Sequence, residues 1–325
     1  MYVIYFLYFC KLVFEVNDMC FNFYNCTMCG RQCGVNRNNV MGFCTAGLDY
    51  NVATICIHKG EEPVLSGSKG VCNVFFPHCN LRCVFCQNKD ISNIDYRLNN
   101  SMYSSLSSIV DRVEELLEKT EQVLGFVSPS HYAHLIPDIV DCIRRDGFNP
   151  TIVYNTNAYD SVDTLRKLES YIDVYLPDFK YYSYDLSSRY SFARNYFEVA
   201  SNAIKEMYRQ KGSVLITDDN DMAVSGLIIR HLILPGCVQD SKDVLSWIAE
   251  NISLKVHVSL MSQYYPISDN LPDQLCRKLT ENEYNQVVEH FYNIGLHNGW
   301  LQELDERSYK PDFSKKEAFE NNGMQ

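Results

Sequence analysis

No apolar run in this chain is long enough to cross a bilayer. The most hydrophobic stretch, MYVIYFLYFCKLVF at the N-terminus, falls short of the roughly 20 residues that a membrane helix needs. It also lacks a positive n-region and a small-residue cleavage site, so a secretory signal is not expected. Residues 1–18 read as a dispensable apolar N-terminus or a gene-model extension with Met19 as the start, and a peripheral anchor is the other reading. Positive charge is scarce: 29 Lys and Arg face 40 Asp and Glu, giving a net charge of −11. That balance argues against a nucleic-acid binder that works by phosphate neutralisation. There is no Gly-rich phosphate loop at a strand–helix turn, no Cys/His/Asp nucleophilic constellation and no internal repeat. Disulfide-framework spacing is missing too, although the chain holds fourteen cysteines. A secreted scaffold is thereby excluded, and a reducing, cytoplasmic compartment with metal centres is expected.

What the chain does have is cysteine in short-range order. Cys79, Cys83 and Cys86 lie in CNLRCVFC with C-x3-C-x2-C spacing. A protein-held iron–sulfur cube normally takes four thiolates. Three from one loop leave an iron open, and an open metal position is catalytic rather than structural, as with zinc. The apolar run Val74-Phe75-Phe76 reads as a buried strand ending at Pro77. A loop leaving the C-terminal end of a strand is where barrel and α/β folds carry their chemistry. A zinc knuckle or a set of buried thiols is the competing reading. Its best fourth ligand, Cys72, precedes the strand and should lie at the strand's other end.

From about residue 72, apolar or β-branched runs recur at 74–76, 122–128, 151–156, 172–178, 226–234 and 255–261. Helical patterns separate them. Leu106, Ile109, Val110, Val113, Leu116 and Leu117 make one apolar face over 104–118. Pro137 belongs in the first turn of a helix over 132–145, and further helices are expected over 161–170 and parts of 184–210. Asp240 or Ser241 is expected to cap a helix carrying Val244 and Trp247, and Thr280 with Glu283 forms a capping box. Six βα units in succession imply a parallel sheet covered by helices; periodicity alone does not separate a barrel from a doubly wound sheet. Residues 19–70 form a short cysteine-bearing, glycine-rich module, and residues 302–325 a charged tail expected to fray.

The longer string VFFPHCNLRCVFCQNKDIS resembles the signature of radical S-adenosylmethionine enzymes, in the branch related to pyruvate formate-lyase activating enzyme. With VYNTNAYD, VYLPDFKYY and RHLILPG, the likeness runs from about Cys26 to Gln302. The resemblance implies an α/β fold: a partial (β/α)6 barrel over 71–301 with a small N-terminal cysteine-rich module. It implies S-adenosyl-L-methionine bound at a [4Fe-4S] cluster held by Cys79, Cys83 and Cys86. Reductive cleavage to methionine and a 5′-deoxyadenosyl radical would follow, then hydrogen abstraction, with activation of a glycyl-radical enzyme as the substrate class of that branch. Phe85 matches the aromatic beside the adenine, and Asn88 the Cys-x-Asn after the motif. Asp178 and Lys180 match a D-x-K strand end, Asn155 and Thr156 a Thr-Asn strand end, and Arg230 stands at the end of the fifth strand. The family's Gly-Gly-Glu-like segment is replaced by Val127-Ser128-Pro129-Ser130-His131, which leaves Ser130 or His131 to meet the methionine amino group. A one-electron donor such as flavodoxin or ferredoxin and a protein substrate are implied. The alternatives are modification of a small molecule or peptide by the same radical, and a non-catalytic iron–sulfur electron carrier. The polar strand ends Asp178, Lys180 and Arg230 argue against the carrier.

Cys26, Cys29, Cys33 and Cys44 lie in CTMCGRQCGVNRNNVMGFC with C-x2-C-x3-C-x10-C spacing. Four thiolates satisfy zinc and equally a four-iron cluster, and the sequence does not choose between them. Tyr181, Tyr182, Tyr184, Gln263 and Tyr264 follow strands near the expected site and are candidates to face substrate.

Overall fold

The predicted runs fold as strands because each alternates between two buried environments. A computed structural model describes residues 21–93, 96, 102–304, 311–313, 315 and 317–319. Residues 1–18, the start at Met19 and part of the charged tail lie outside them. The elements run β1 (Thr54–His58), α1 (Pro63–Ser66), β2 (Val71–Phe75), α2 (Lys89–Ser92), α3 (Leu106–Leu117), β3 (Val123–Val127), α4 (Ile136–Arg145), β4 (Thr151–Thr156), α5 (Val162–Lys167) and β5 (Val174–Pro177). They continue with α6 (Tyr184–Ser191), α7 (Tyr196–Lys211), β6 (Ile216–Thr217), β7 (Ala223–Leu232), α8 (Val238–Asn251), β8 (His257–Met261), α9 (Glu281–Asn293) and β9 (Gly299–Leu301).

Strands β2, β3, β4, β5, β7 and β8 pair in that order, all parallel. This is the open α/β barrel arrangement, with helices returning the chain between strands. Three strands extend it beyond six, one of them the two-residue β6, antiparallel to β7. β1 adds antiparallel to β2, and the three-residue β9 adds parallel to β8. β9 is too short to give a readable apolar run, and β1 lies inside the cysteine-bearing segment in sequence although it belongs to the sheet in space.

Alternation along the strands sorts side chains onto two faces. Cys72, Val74, Leu124, Phe126, Ile152, Tyr154, Leu227, Ile229, Val258 and Leu260 join the main core, which includes the apolar faces of α3, α4, α7 and α8. The opposite face carries Val71, Val123, Val153, Val174 and Ile228, which pack with Leu65 of α1 as a second apolar cluster. Above that floor the same face turns polar, through Asn73, Asn155, Arg230 and Ser259. Gly125 sits in register with Asn73, and a Cβ there would come within 2.0 Å of the Asn73 side-chain oxygen. Gly125→Ala is therefore expected to destabilise the fold by about 1–3 kcal/mol through overpacking. A lowered urea midpoint with an unchanged slope would report it; an unchanged midpoint would mean that the sheet yields there at no cost.

Pro137 sits in the first turn of α4, and the Thr280–Glu283 capping box opens α9. Helix α8 departs from expectation, since its N-cap is Cys237. Asp240 instead accepts from the Tyr182 and Ser183 N–H groups at 3.2 and 2.6 Å, and Ser241 donates to His231 at 2.9 Å. Both are buried and serve tertiary ties rather than the helix end. In the described part of the tail, Phe313, Ala318 and Phe319 pack on Cys56 and Phe75, and Glu317 pairs with Arg112 at 2.5 Å.

Candidate functional site

The loop after β2 is held at both ends. Phe76 stacks on Phe126 and Tyr132, and His131 donates through Nε2 to the Pro77 carbonyl at 2.8 Å. His78 then takes a left-handed turn, φ 65°, and its Nδ1 meets the Thr45 hydroxyl at 3.0 Å. Further on, the Arg82 and Val84 N–H groups donate to Ser191 and Tyr190 at the end of α6. Cys79, Cys83 and Cys86, all half-buried, are thus presented at the C-terminal end of the parallel strands.

Each thiol has a polar neighbour. Cys79 Sγ accepts from the Leu81 N–H at 3.3 Å and lies 3.6 Å from Asn157 Nδ2. Ser191 donates to Cys83 Sγ at 2.9 Å, and Cys86 Sγ is 3.3 Å from the Ser92 hydroxyl. Burial pushes the Cys83 thiol up to about 11, opposed by the Lys180 ammonium, and raises Cys79 as well. Among the described residues, no three Cys, His, Asp or Glu side chains converge on the position of a single ion.

Of the predicted contact residues, the structure brings one group together. Arg230 donates to Asp178 at 2.7 Å, Asn155 at 2.7 Å and Glu61 at 3.1 Å, and Lys180 donates to the other Asp178 oxygen at 2.7 Å. Burial works to raise Asp178, but Arg230 and Lys180 hold its carboxyl below the usual range. Asn88 stands beside this group on the wall of one cavity with Asn155 and Arg230. Phe85 is buried edge-on against Tyr264, rings 6.0 Å apart. Ser130 and Thr156 form a separate buried network: their hydroxyls lie 3.3 Å apart, and Thr156 and Tyr154 both donate to Asp160. His131 is buried beneath the cysteine loop, its pKa lowered to about 3 by burial. Of the substrate-facing candidates, Gln263 lines the cavity, Tyr181 and Tyr264 are buried, and Tyr182 and Tyr184 are exposed.

Sequence reasoning missed Glu61 and Glu62. They lie in KGEEP between β1 and α1, which reads as a solvated charged turn, yet both reach the cavity. No motif marks them; only their position before the Leu65 plug does.

The four N-terminal cysteines sit against the same loop. Cys26 and Cys29 are buried, Cys44 half-buried and Cys33 exposed. A Cβ on Gly42 would fall 2.7 Å from Cys33 Sγ, so that turn closes on sulfur with no room for a side chain. Burial pushes Cys29 up to about 12; it also raises Cys26 and Cys44, with Arg37 working against it. Gly30 donates to Tyr159 at 2.9 Å, and Arg31 donates to the Asn80 carbonyl at 2.7 Å while stacking on Phe43.

A family model for the radical SAM superfamily matches residues 73–221. An uncharacterized protein of Methanocaldococcus jannaschii is 31% identical over 281 residues, covering 84% of this chain and 77% of that one. Among solved structures, a domain of pyruvate-formate lyase-activating enzyme from Bacteroides vulgatus shares 14% identity at TM-score 0.37, covering 53% of this chain and 92% of that domain. The FeFe-hydrogenase maturase HydG from Carboxydothermus hydrogenoformans shares 14% at TM-score 0.48, over 69% of this chain and 50% of its own. SuiB of Streptococcus suis, bound to its precursor peptide, shares 12% at TM-score 0.47, over 70% and 47%. The chain spans about half the length of the last two.

Proposed function

Because the chain belongs to the radical SAM superfamily, we propose that Cys79, Cys83 and Cys86 hold its [4Fe-4S] cluster and that the protein abstracts hydrogen from a backbone glycine of a partner protein. The observation that carries this reading is the arrangement of three thiols from one loop at the C-terminal end of parallel strands, with Lys180 beside Cys83. The residues present fit such a cluster. Its thiolate donors are soft ligands suited to iron–sulfur, and the Leu81 N–H, the Ser191 hydroxyl and the Asn157 amide offer hydrogen bonds of the kind that tune cluster potential. When bound, the cluster supplies the electron that splits the sulfonium of S-adenosylmethionine into methionine and a 5′-deoxyadenosyl radical.

The chain's own residues bind, orient and exclude water. Lys180 and Arg230 bring positive charge to the end of the sheet where a carboxylate of the cofactor would be received, and Asp178 and Asn155 hold Arg230 in place. Asn88 and Phe85 are the side chains of the motif loop available to the adenosine. Ser130, Thr156 and His131 support the loop and β4 from beneath through their hydrogen bonds to one another's network and to Pro77. The electron donor in this reading is a flavodoxin or ferredoxin. Anaerobic reconstitution, dithionite reduction and an assay for 5′-deoxyadenosine test the radical chemistry. Glycine activation is tested by the appearance of a glycyl-radical resonance in a co-incubated partner, and a deuterated-glycine partner that transfers no deuterium to deoxyadenosine would rule that substrate out.

The N-terminal cysteines form a second metal site in this reading, supported by the sulfur-lined turn at Gly42 and the burial of Cys26 and Cys29. The expected result for a Cys79→Ala/Cys83→Ala/Cys86→Ala protein is retained metal: about one zinc or about four irons per chain. Elemental analysis of that variant distinguishes the two, and a metal-free variant would mean that these four thiols are unliganded.

A further inference from the structure

The cavity also holds two carboxyls, Glu61 and Glu62, to which the proposed function gives no role. It measures about 550 Å³ and opens between the two edges of the sheet, a size that accepts a small molecule or a peptide side chain. Pro63, Phe75, Val127, Met261 and Trp300 give it an apolar lining. Glu61 and Glu62 are carried into that lining by the turn from β1.

Glu61 is fully engaged. It accepts from Asn73 at 2.9 Å and Arg230 at 3.1 Å, and it lies 3.0 Å from His58 Nδ1 at the rim. Glu62 is different. It is 7% exposed, lines the cavity, and its Oε2 has neither a hydrogen-bond partner nor access to solvent. The Ser259 hydroxyl and the charge of Arg230 ease its burial, but the three hydrogen bonds that Arg230 makes here go to Asp178, Glu61 and Asn155. Burial raises the pKa of Glu62. In this buried group the carboxyls of Glu61, Glu62 and Asp178 share the guanidinium of Arg230 and the ammonium of Lys180. His58, whose Nδ1 lies 3.0 Å from Glu61, is the third basic group beside them, so what is left unmatched is the Glu62 oxygen itself. A buried carboxyl oxygen without a donor costs about 1–3 kcal/mol or more, and a group kept at that cost calls for a functional explanation.

We propose that this corner of the cavity is a substrate subsite for a cationic N–H donor, a protonated amine or guanidinium, that draws the enclosed Glu62 carboxyl out as its acceptor. The inference rests on the radical-enzyme reading and names the chemistry of what is acted on: a molecule or protein segment carrying a basic group within reach of the site.

The test uses reconstituted, unreduced holoenzyme, so that no radical chemistry occurs. Binding of n-butylammonium and of the neutral 1-butanol is measured by calorimetry on wild type and Glu62→Gln. The amine should bind saturably and the alcohol should not. Glu62→Gln should weaken the amine by about 10- to 100-fold, the range of a charge-assisted hydrogen bond, while leaving S-adenosylmethionine affinity unchanged. The variant should also unfold in urea no earlier than wild type, because an unpaired buried carboxyl has been removed. Equal amine affinity in the variant, comparable binding of butanol, or a parallel loss of S-adenosylmethionine would each overturn the proposal. An unstable variant would overturn it as well, making Glu62 a structural acceptor. Free lysine and an acetylated lysine-containing pentapeptide then separate the sources, and failure of both to bind sinks the idea. Failure of the radical reading shows elsewhere, as an iron-loaded wild type that makes no deoxyadenosine.

Discussion

A Cys79→Ala/Cys83→Ala/Cys86→Ala protein is expected to release no 5′-deoxyadenosine above background, while iron-loaded, dithionite-reduced wild type releases it. The effect is all-or-none because the three thiols are the soft donors of that loop, and an iron–sulfur cluster has no hold without them. Burial raises Cys79 and Cys83, and metal binding must displace their protons. Cluster assembly should therefore be favoured by raising the pH within the stable range. Equal deoxyadenosine from wild type and variant would remove these cysteines from the chemistry. None from a fully reduced wild type would move the electron-carrier reading ahead.

Removing Arg230 is expected to have the largest effect on stability. Arg230→Met leaves Asp178 with Lys180 alone and takes from Glu61 its guanidinium partner, both inside the sheet. Breaking a buried ion pair on one side costs about 3–5 kcal/mol, and a urea midpoint at pH 7 should fall accordingly. The sign with pH follows from Glu61. Burial works to raise its pKa, but His58, Arg230 and Asn73 depress it from 4.5 to about 2. A carboxyl depressed on folding contributes fully above its unfolded value and loses that contribution as pH falls through the folded one. The gap between wild type and variant should thus be widest above about pH 4.5 and narrow as pH falls toward about 2. A variant within about 1 kcal/mol of wild type at pH 7 would mean that water screens this network as it does a surface pair.

Much of the architecture was legible in the chain. The six apolar runs correspond to β2, β3, β4, β5, β7 and β8, since each is long enough to show its periodicity. Pro137 and the Thr280–Glu283 pair mark helix starts through purely local hydrogen bonding. The residues that failed to read were those whose role is set from far away. Asp240 and Ser241 looked like caps but tie α8 to the β5 loop and to His231. The Asp160 network that joins Ser130, Tyr154 and Thr156 had no local mark either. The described tail residues looked too polar to pack, yet Phe313 and Phe319 settle on Phe75.

By itself the sequence determined the spacing of the cysteines and the succession of strands and helices, because these depend on neighbours a few residues apart; the choice of a barrel over a doubly wound sheet came from the likeness to a known family. Only the tertiary structure decided that Glu61, 169 positions from Arg230 in the chain, becomes its partner. It alone decided that Glu62 stands unpaired beside them. Burial and charge compensation are properties of the closed sheet, and no local pattern encodes which distant cation a carboxylate will find, or fail to find.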